Sequence, residues 1–287
     1  MAEFEEGKAE LAGLARHNGW REAVRLQFGT AEYLTDVRRG MFLDLLPIEG
    51  ADVLEIGPGF GQFTDKIARR AKSVEALEVD SDQAAFIREK LQQEGITNTV
   101  VTTGGADCRL PQPTNSFDLV ILNLVLEWCA IRLDEPHEKA QLRLLGEIAR
   151  VLRPGGRLYV CTKNRFALRY LLGKPDEHYH DMRFGSALPR WLADRLHGRR
   201  SRGRLYSWTG LRRLLRQTGF NVERSWWAAP EMRFPEEMID TNAKTVRAAR
   251  RRGIRQGHGR AERLLMPLIP APFVKHVSPG LCFLATI

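Results

Sequence analysis

The chain has 287 residues, enough to bury a full core as one large α/β domain with insertions or as a domain plus a cap. Its longest apolar run, Leu119 to Ile131, holds Asn123 and Glu127 and is too short to cross a bilayer, and the acidic start from Met1 to Glu10 has no signal-like segment, so a cytoplasmic location is expected. Residues 1–150 carry 17 Lys+Arg against 25 Asp+Glu, net −8, while residues 151–287 carry 27 against 10, net +17; the basic half suits an anionic partner, or is simply a solvated basic face.

From Glu3 to Leu46 the pattern is helical, with Leu11, Leu14, Val24, Leu26, Val37, Phe42 and Leu45 set among charges and breaks at Asn18-Gly19 and Gly29-Thr30. Pro47 to Gly50 ends this segment. A first strand over Asp52 to Ile56 then runs into Gly57-Pro58-Gly59-Phe60-Gly61, glycine at every second position, and a helix from about Gln62 to Arg70. Such a turn lets a ligand approach backbone that a Cβ would shield, and the helix points its amides at it. The spacing departs from the dinucleotide fingerprint G-x-G-x-x-G, because Gln62 stands where the third glycine belongs.

A second strand covers Ser73 to Glu78, and a helix follows from Ser81 or Asp82 to about Glu94. Parallel strands end on one edge, so Glu78 is placed to accept both ribose hydroxyls of a nucleoside with its two oxygens, with Asp80 nearer the helix start. Thr99 to Thr103 reads as a third strand, Phe117 to Leu122 as a fourth, Glu138 to Leu152 as an amphipathic helix and Arg157 to Cys161 as a fifth strand after the stop Arg153-Pro154-Gly155-Gly156. A helix starts at Ser207-Trp208, Phe220 to Trp227 reads as strand six and Gly280 to Ile287 as strand seven. In Trp226-Trp227 at least one ring is expected in the core. The cysteines, Cys108, Cys129, Cys161 and Cys282, form no C-x-x-C pair, so neither a disulfide framework nor a metal site is expected.

Glu55 through Gly61, Glu78-Val79-Asp80, the stretch from Gly105 through Leu110-Pro111 to Phe117-Asp118-Leu119-Val120, and Arg150-Val151-Leu152-Arg153-Pro154-Gly155-Gly156 together resemble class I S-adenosylmethionine-dependent methyltransferases. The resemblance implies a doubly wound, seven-stranded Rossmann-like α/β sheet over residues 51–287, a helical segment over 1–50 and S-adenosylmethionine as cofactor. It implies Gly57, Gly59 and Gly61 under the methionine end with Glu55 in support, Glu78 at the ribose, Asp107 with Cys108 beside adenine, and Asn123 near the transferred methyl. The acidic position five before the proline holds Ala106, and Asn123-Leu124-Val125-Leu126 is not the Asn/Asp-Pro-Pro-aromatic motif of many base-directed amino methyltransferases.

Two insertions, 162–206 and 228–279, leave the ligand-binding edge and are expected to cap the substrate; they contain Arg199, Arg200, Arg202 and Arg204, then Arg247, Arg250, Arg251, Arg252, Arg255, Arg260 and Arg263. Asn164-Arg165-Phe166 through Gly173 to His178 resembles a pattern in bacterial methyltransferases associated with surface glycans. His178, His180 and Glu127 are the candidate proton acceptors for transfer to a hydroxyl. Leu188, Trp191, Leu192 and Leu196 share one helical side, which would suit either packing on the domain or peripheral contact with an anionic membrane. The expected activity is O-methylation of a small anionic or glycan-like acceptor. The alternatives are RNA methylation, with Trp208, Trp226 or Trp227 stacking bases, and a non-catalytic binding module of the same fold.

Overall fold

The computed structural model describes residues 2–197 and 201–287, so the expected contribution of Arg199 and Arg200 lies outside the described residues. Two helices, α1 (Ala2–Asn18) and α2 (Trp20–Phe28), lead into a 3₁₀ segment, Val37–Leu45, and break at Gly19 and Gly29 as the sequence indicates. The core elements follow as β1 (Asp52–Ile56), α3 (Thr64–Ala68), β2 (Ser73–Glu78), α4 (Ser81–Gln93), β3 (Thr99–Thr103), β4 (Phe117–Asn123), α5 (His137–Val151) and β5 (Leu152–Lys163). The remaining elements are α6 (Arg190–His197), α7 (Trp208–Gln217), β6 (Asn221–Ala229), β7 (Glu237–Asp240), α8 (Ala243–Arg251), α9 (Arg260–Leu265) and β8 (Gly280–Thr286), with one-turn helices and a separate two-residue antiparallel ladder of Pro175–Asp176 with Met182–Arg183 between them.

Local chemistry places the boundaries. Asp80 caps α4 by accepting from the amides of Asp82 and Gln83, and Ser207 caps α7 through the Gly210 amide. The turn after the glycines is longer than expected, and α3 begins only at Thr64. The fifth strand starts earlier, at Leu152, where it pairs with Phe117; the ladder then slips across Arg153–Gly156 and resumes at Leu119 opposite Arg157.

The sheet order is β3-β2-β1-β4-β5-β8-β6-β7. Strands β1 to β5 are parallel, and β8 runs antiparallel between β5 and β6. The expected seven strands become eight, because β6 extends to Ala229 and the short β7 pairs antiparallel along its end, Trp226 with Asp240 and Ala229 with Glu237. Four residues rich in acid carry little strand signal of their own; the pairing depends on the extended neighbour.

Both sheet faces are covered, as parallel strands require. One face packs Leu54, Val120, Leu122, Leu158 and Phe283 against Leu144, Leu145 and Ile148 of α5 and Leu211 and Leu215 of α7. The other packs Val53, Leu119, Ile121, Tyr159 and Trp226 against Phe42 of the 3₁₀ segment and Phe63 and Ile67 of the glycine turn and α3. Trp226 and Trp227 are both buried, which removes them as base-stacking platforms. Helices α1 and α2 lie on α4, with Trp20, Val24 and Phe86 in a shared cluster. No helix among the described residues is long and apolar enough to cross a membrane.

Candidate functional site

All five residues of β1 are buried, so the strand delivers the glycine turn to the carboxyl edge on a fixed base. Gly57, Gly59 and Gly61 have φ of +67°, +62° and +66°, a left-handed backbone that L side chains avoid. A Cβ on Gly57 would stand 2.5 Å from Val125 Cγ2 in the loop after β4, whereas a Cβ on Gly59 would meet nothing within 4 Å. The turn is therefore pressed on the protein at Gly57 and open to a ligand at Gly59.

Three carboxylates and one amine hold this turn. Glu78, 4% exposed at the end of β2, accepts from the amides of Gly59 (3.0 Å), Val79 (2.8 Å) and Asp80 (3.1 Å). Burial pushes its carboxyl upward, opposed by those amides. A carboxylate has about four lone-pair sites, so these bonds leave acceptor capacity on Oε2 but not the two-oxygen hold on a ribose that the sequence suggests. Beneath the turn, Glu55 accepts from the Thr64 hydroxyl at 2.6 Å. Lys90 of α4, 1% exposed, donates to Asp65 Oδ1 at 2.6 Å and to the Gly61 carbonyl. The sequence gives no sign of Lys90, which sits in a polar-looking stretch of helix.

Burial raises Glu55 from 4.5 to about 7. A carboxyl raised in the folded state favours folding fully below its ordinary value, and that contribution is lost as pH rises through 4.5 to about 7. The loss is of order 3 kcal/mol at most. Urea denaturation across this window should give a falling stability for the parent and a flatter profile for Glu55→Gln, whose amide still accepts from Thr64.

Of the other residues singled out from sequence, the fold brings Glu127 and His178 close together, whereas Asp107 and Cys108 lie on a separate loop and Asn123 at a strand end. Asp107 has an exposed side chain that accepts from the Arg109 amide at 3.0 Å, while Cys108 beside it is buried with φ +62° and its Sγ lies 3.3 Å from the Cys129 carbonyl. Asn123 ends β4 on the open edge, opposite Cys161 of β5. His178 is fully buried: its Nδ1 lies 2.7 Å from Asp176 Oδ1, its ring stacks on Trp128 at 4.2 Å, and its Nε2 has no hydrogen-bond partner among the described residues. Asp176 thereby sets Nδ1 as the donor nitrogen. His180 is half-buried in a left-handed conformation at the end of the 3₁₀ turn Glu177–Tyr179. Glu127 is 1% exposed, and neither carboxylate oxygen has an aligned donor among the described residues; Thr162 is near without that alignment. Burial pushes Glu127 upward, opposed chiefly by its own backbone amide and by His178.

A cavity of about 560 Å³ opens beyond Asn123. Its floor is Phe42, Tyr159, Cys161 and Cys282, with the Phe42 and Tyr159 rings stacked at 4.7 Å, and its rim carries Arg39, Lys163, Arg169 and Arg233 against Glu177 and Glu231. Glu127, His178 and His180 do not line it. Lys163 forms an ion pair with Glu177; burial lowers its amine, opposed by the charges of Glu127 and Asp176. Lys163 is the last residue of β5, and its place at the end of a parallel strand is the available sequence signal; Arg39 and Arg233 come from distant segments and have none. In the stripe expected along α6 and just before it, Leu188 and Leu192 are half-buried while Trp191 and Leu196 are exposed, so it is only partly packed on the domain. Among the described residues no three His, Cys, Asp or Glu side chains converge to hold a metal ion, and the four cysteines are free thiols.

Residues 54–160 match the family model described as "Methyltransferase domain". The chain is 32% identical over 151 residues to the biotin biosynthesis bifunctional protein BioHC of Cellvibrio japonicus, covering 50% of this chain and 27% of that protein. It is 31% identical over 112 residues to the malonyl-[acyl-carrier protein] O-methyltransferase of Methylococcus capsulatus, covering 39% of this chain and 37% of that one. The chain thus spans well under half the length of either relative. Among solved structures it is similar to an S-adenosylmethionine dependent methyltransferase from Mesorhizobium loti, with a TM-score of 0.50, 18% identity and coverage of 89% of this chain and 98% of that chain, a likeness of fold.

Proposed function

We propose, for a chain that carries a class I S-adenosylmethionine-dependent methyltransferase domain, that it transfers a methyl group to a carboxylate oxygen of a small anionic acceptor bound in the cavity beyond Asn123. The observation that carries this reading is the cavity itself: four cationic side chains and two carboxylates stand around an aromatic floor, and no histidine lines it. When bound, S-adenosylmethionine supplies an electrophilic sulfonium methyl. A carboxylate is already ionised near neutral pH and requires no general base, which agrees with His178, His180 and Glu127 lying outside the lining.

The residues present fit the cofactor. Gly59 faces open space in a backbone conformation that suits glycine, and Glu78 retains acceptor capacity next to it. Gly57, Gly59 and Gly61 would run under the methionine end with Glu55 in support, Glu78 would take a ribose hydroxyl, Asp107 and Cys108 would flank adenine, and Asn123 would border the reacting centre. Arg39, Lys163, Arg169 and Arg233 would hold and orient the acceptor. Glu127 and the Asp176–His178 pair would position the loop after β4 through the stack on Trp128. The relative named as a malonyl-[acyl-carrier protein] O-methyltransferase is O-directed by its name, which is consistent with an oxygen acceptor.

The test is transfer of labelled methyl from S-adenosylmethionine into a metabolite extract, followed by mild alkali, which releases methyl esters as methanol. The reading expects alkali-labile label, and a roughly 10- to 100-fold loss of kcat/KM in Lys163→Met, the cost of one hydrogen bond to a charged group. Alkali-stable label would remove the carboxylate acceptor. Label sensitive to ribonuclease would replace it with RNA.

A further inference from the structure

From the end of α9 toward β8 the chain runs Leu264-Leu265-Met266-Pro267-Leu268-Ile269-Pro270-Ala271-Pro272-Phe273, without a charged or hydrogen-bonding side chain. Met266 and Ala271 turn inward, joining Val274, Trp227 and Ile239 in a core cluster, and Arg250 fixes the backbone by donating to the carbonyls of Met266 and Ile269 at 2.8 Å each. Ile269 is partly packed on the same cluster, whereas Leu264, Leu268 and Phe273 stand out from this fixed course, at 73%, 75% and 59% exposure. Scattered surface leucines need no explanation, but a held, uncharged, outward-facing segment does.

Its surroundings are basic. From Ala243 to Pro279 the chain has nine Lys and Arg and a single carboxylate, Glu262, which is buried. Arg252 and Arg255 are paired with Glu237 and Glu236, whereas Lys244, Arg247, Arg251 and Arg260 have no ion pair among the described residues. Arg260, Arg263 and Leu264 share one face of α9 by their spacing.

We propose that this surface docks on an anionic phospholipid bilayer. The headgroup boundary accepts Leu264, Leu268 and Phe273, and the lipid phosphates neutralise the surrounding cations, so both halves of the surface are satisfied by one partner. A second copy of the chain would bring like charge against like charge. A nucleic acid would use the cations and leave the aliphatic side chains in water.

The test is sedimentation of the full chain with vesicles of phosphatidylcholine alone and of phosphatidylcholine mixed with phosphatidylglycerol, with no cofactor and no turnover read. Binding is expected only to the mixed vesicles, weakened by salt, reduced roughly fivefold by Arg260→Ala and abolished by Leu268→Glu with Phe273→Glu. Both replaced side chains are exposed, so the double variant should melt with the parent, which separates loss of docking from loss of fold. Absence of binding to mixed vesicles, or equal binding by parent and double variant, would overturn the proposal. So would a concentration-dependent dimer that the double variant dissolves, because a second copy would then be what covers the segment.

Discussion

Replacing Lys90 with methionine is expected to lower the stability of the fold by about 3–5 kcal/mol, the cost of breaking a buried ion pair by removing one partner. The amine is 1% exposed, bridges Asp65 and the Gly61 carbonyl, and lies 5.1 Å from the centre of the Trp20 indole ring. Without it Asp65 is left with a largely buried charge and the last glycine of the turn loses a carbonyl partner. Glu55, which the Lys90 charge helps to hold down, should titrate still higher. Urea denaturation measures the stability loss, and calorimetric binding of S-adenosylhomocysteine measures the effect on the turn. Adding Asp65→Leu to Lys90→Met should recover part of the stability, because removing both partners of a buried pair costs much less than removing one. A Lys90→Met protein that unfolds at the parent's urea midpoint would show that the amine does not brace the turn.

The glycine turn should separate strain from ligand contact. At Gly57 an alanine carries a left-handed backbone cost of about 1–2 kcal/mol. It also places a Cβ 2.5 Å from Val125 Cγ2, adding about 1–3 kcal/mol of overpacking. At Gly59 the backbone cost is similar and the packing term is absent, since nothing lies within 4 Å. Gly57→Ala is therefore expected to be the less stable of the two, and Val125→Ala to restore part of the loss in Gly57→Ala but none in Gly59→Ala. Cofactor binding should follow a different order: Gly59→Val keeps most of the fold and loses affinity, because its side chain occupies the space left for the ligand. Equal denaturation midpoints for Gly57→Ala and Gly59→Ala would remove Val125 as the cause.

The sequence by itself determined the parts of this protein governed by local period and local turns. Strands β1, β2 and β3 have the expected limits, since apolar runs bounded by glycine and polar residues leave few alternatives. Asp80 at a helix cap and Gly57, Gly59 and Gly61 in left-handed backbone were legible for the same reason: their chemistry acts within three or four residues. Methyltransferase motifs in order along the chain likewise fixed the fold class.

What only the tertiary structure decided depends on partners far apart in sequence. The eighth strand exists because β6 runs on to Ala229 and offers its edge. Glu78 looked free to hold a ribose with both oxygens, yet three backbone amides occupy much of it. Residue type and setting mark His178 as a candidate base, but folding buries it against Asp176 and Trp128, outside the cavity lining, where Arg39, Lys163, Arg169 and Arg233 gather instead. Desolvation and charge proximity belong to three-dimensional packing; a residue's neighbours along the chain do not reveal which charges will face it across a sheet edge.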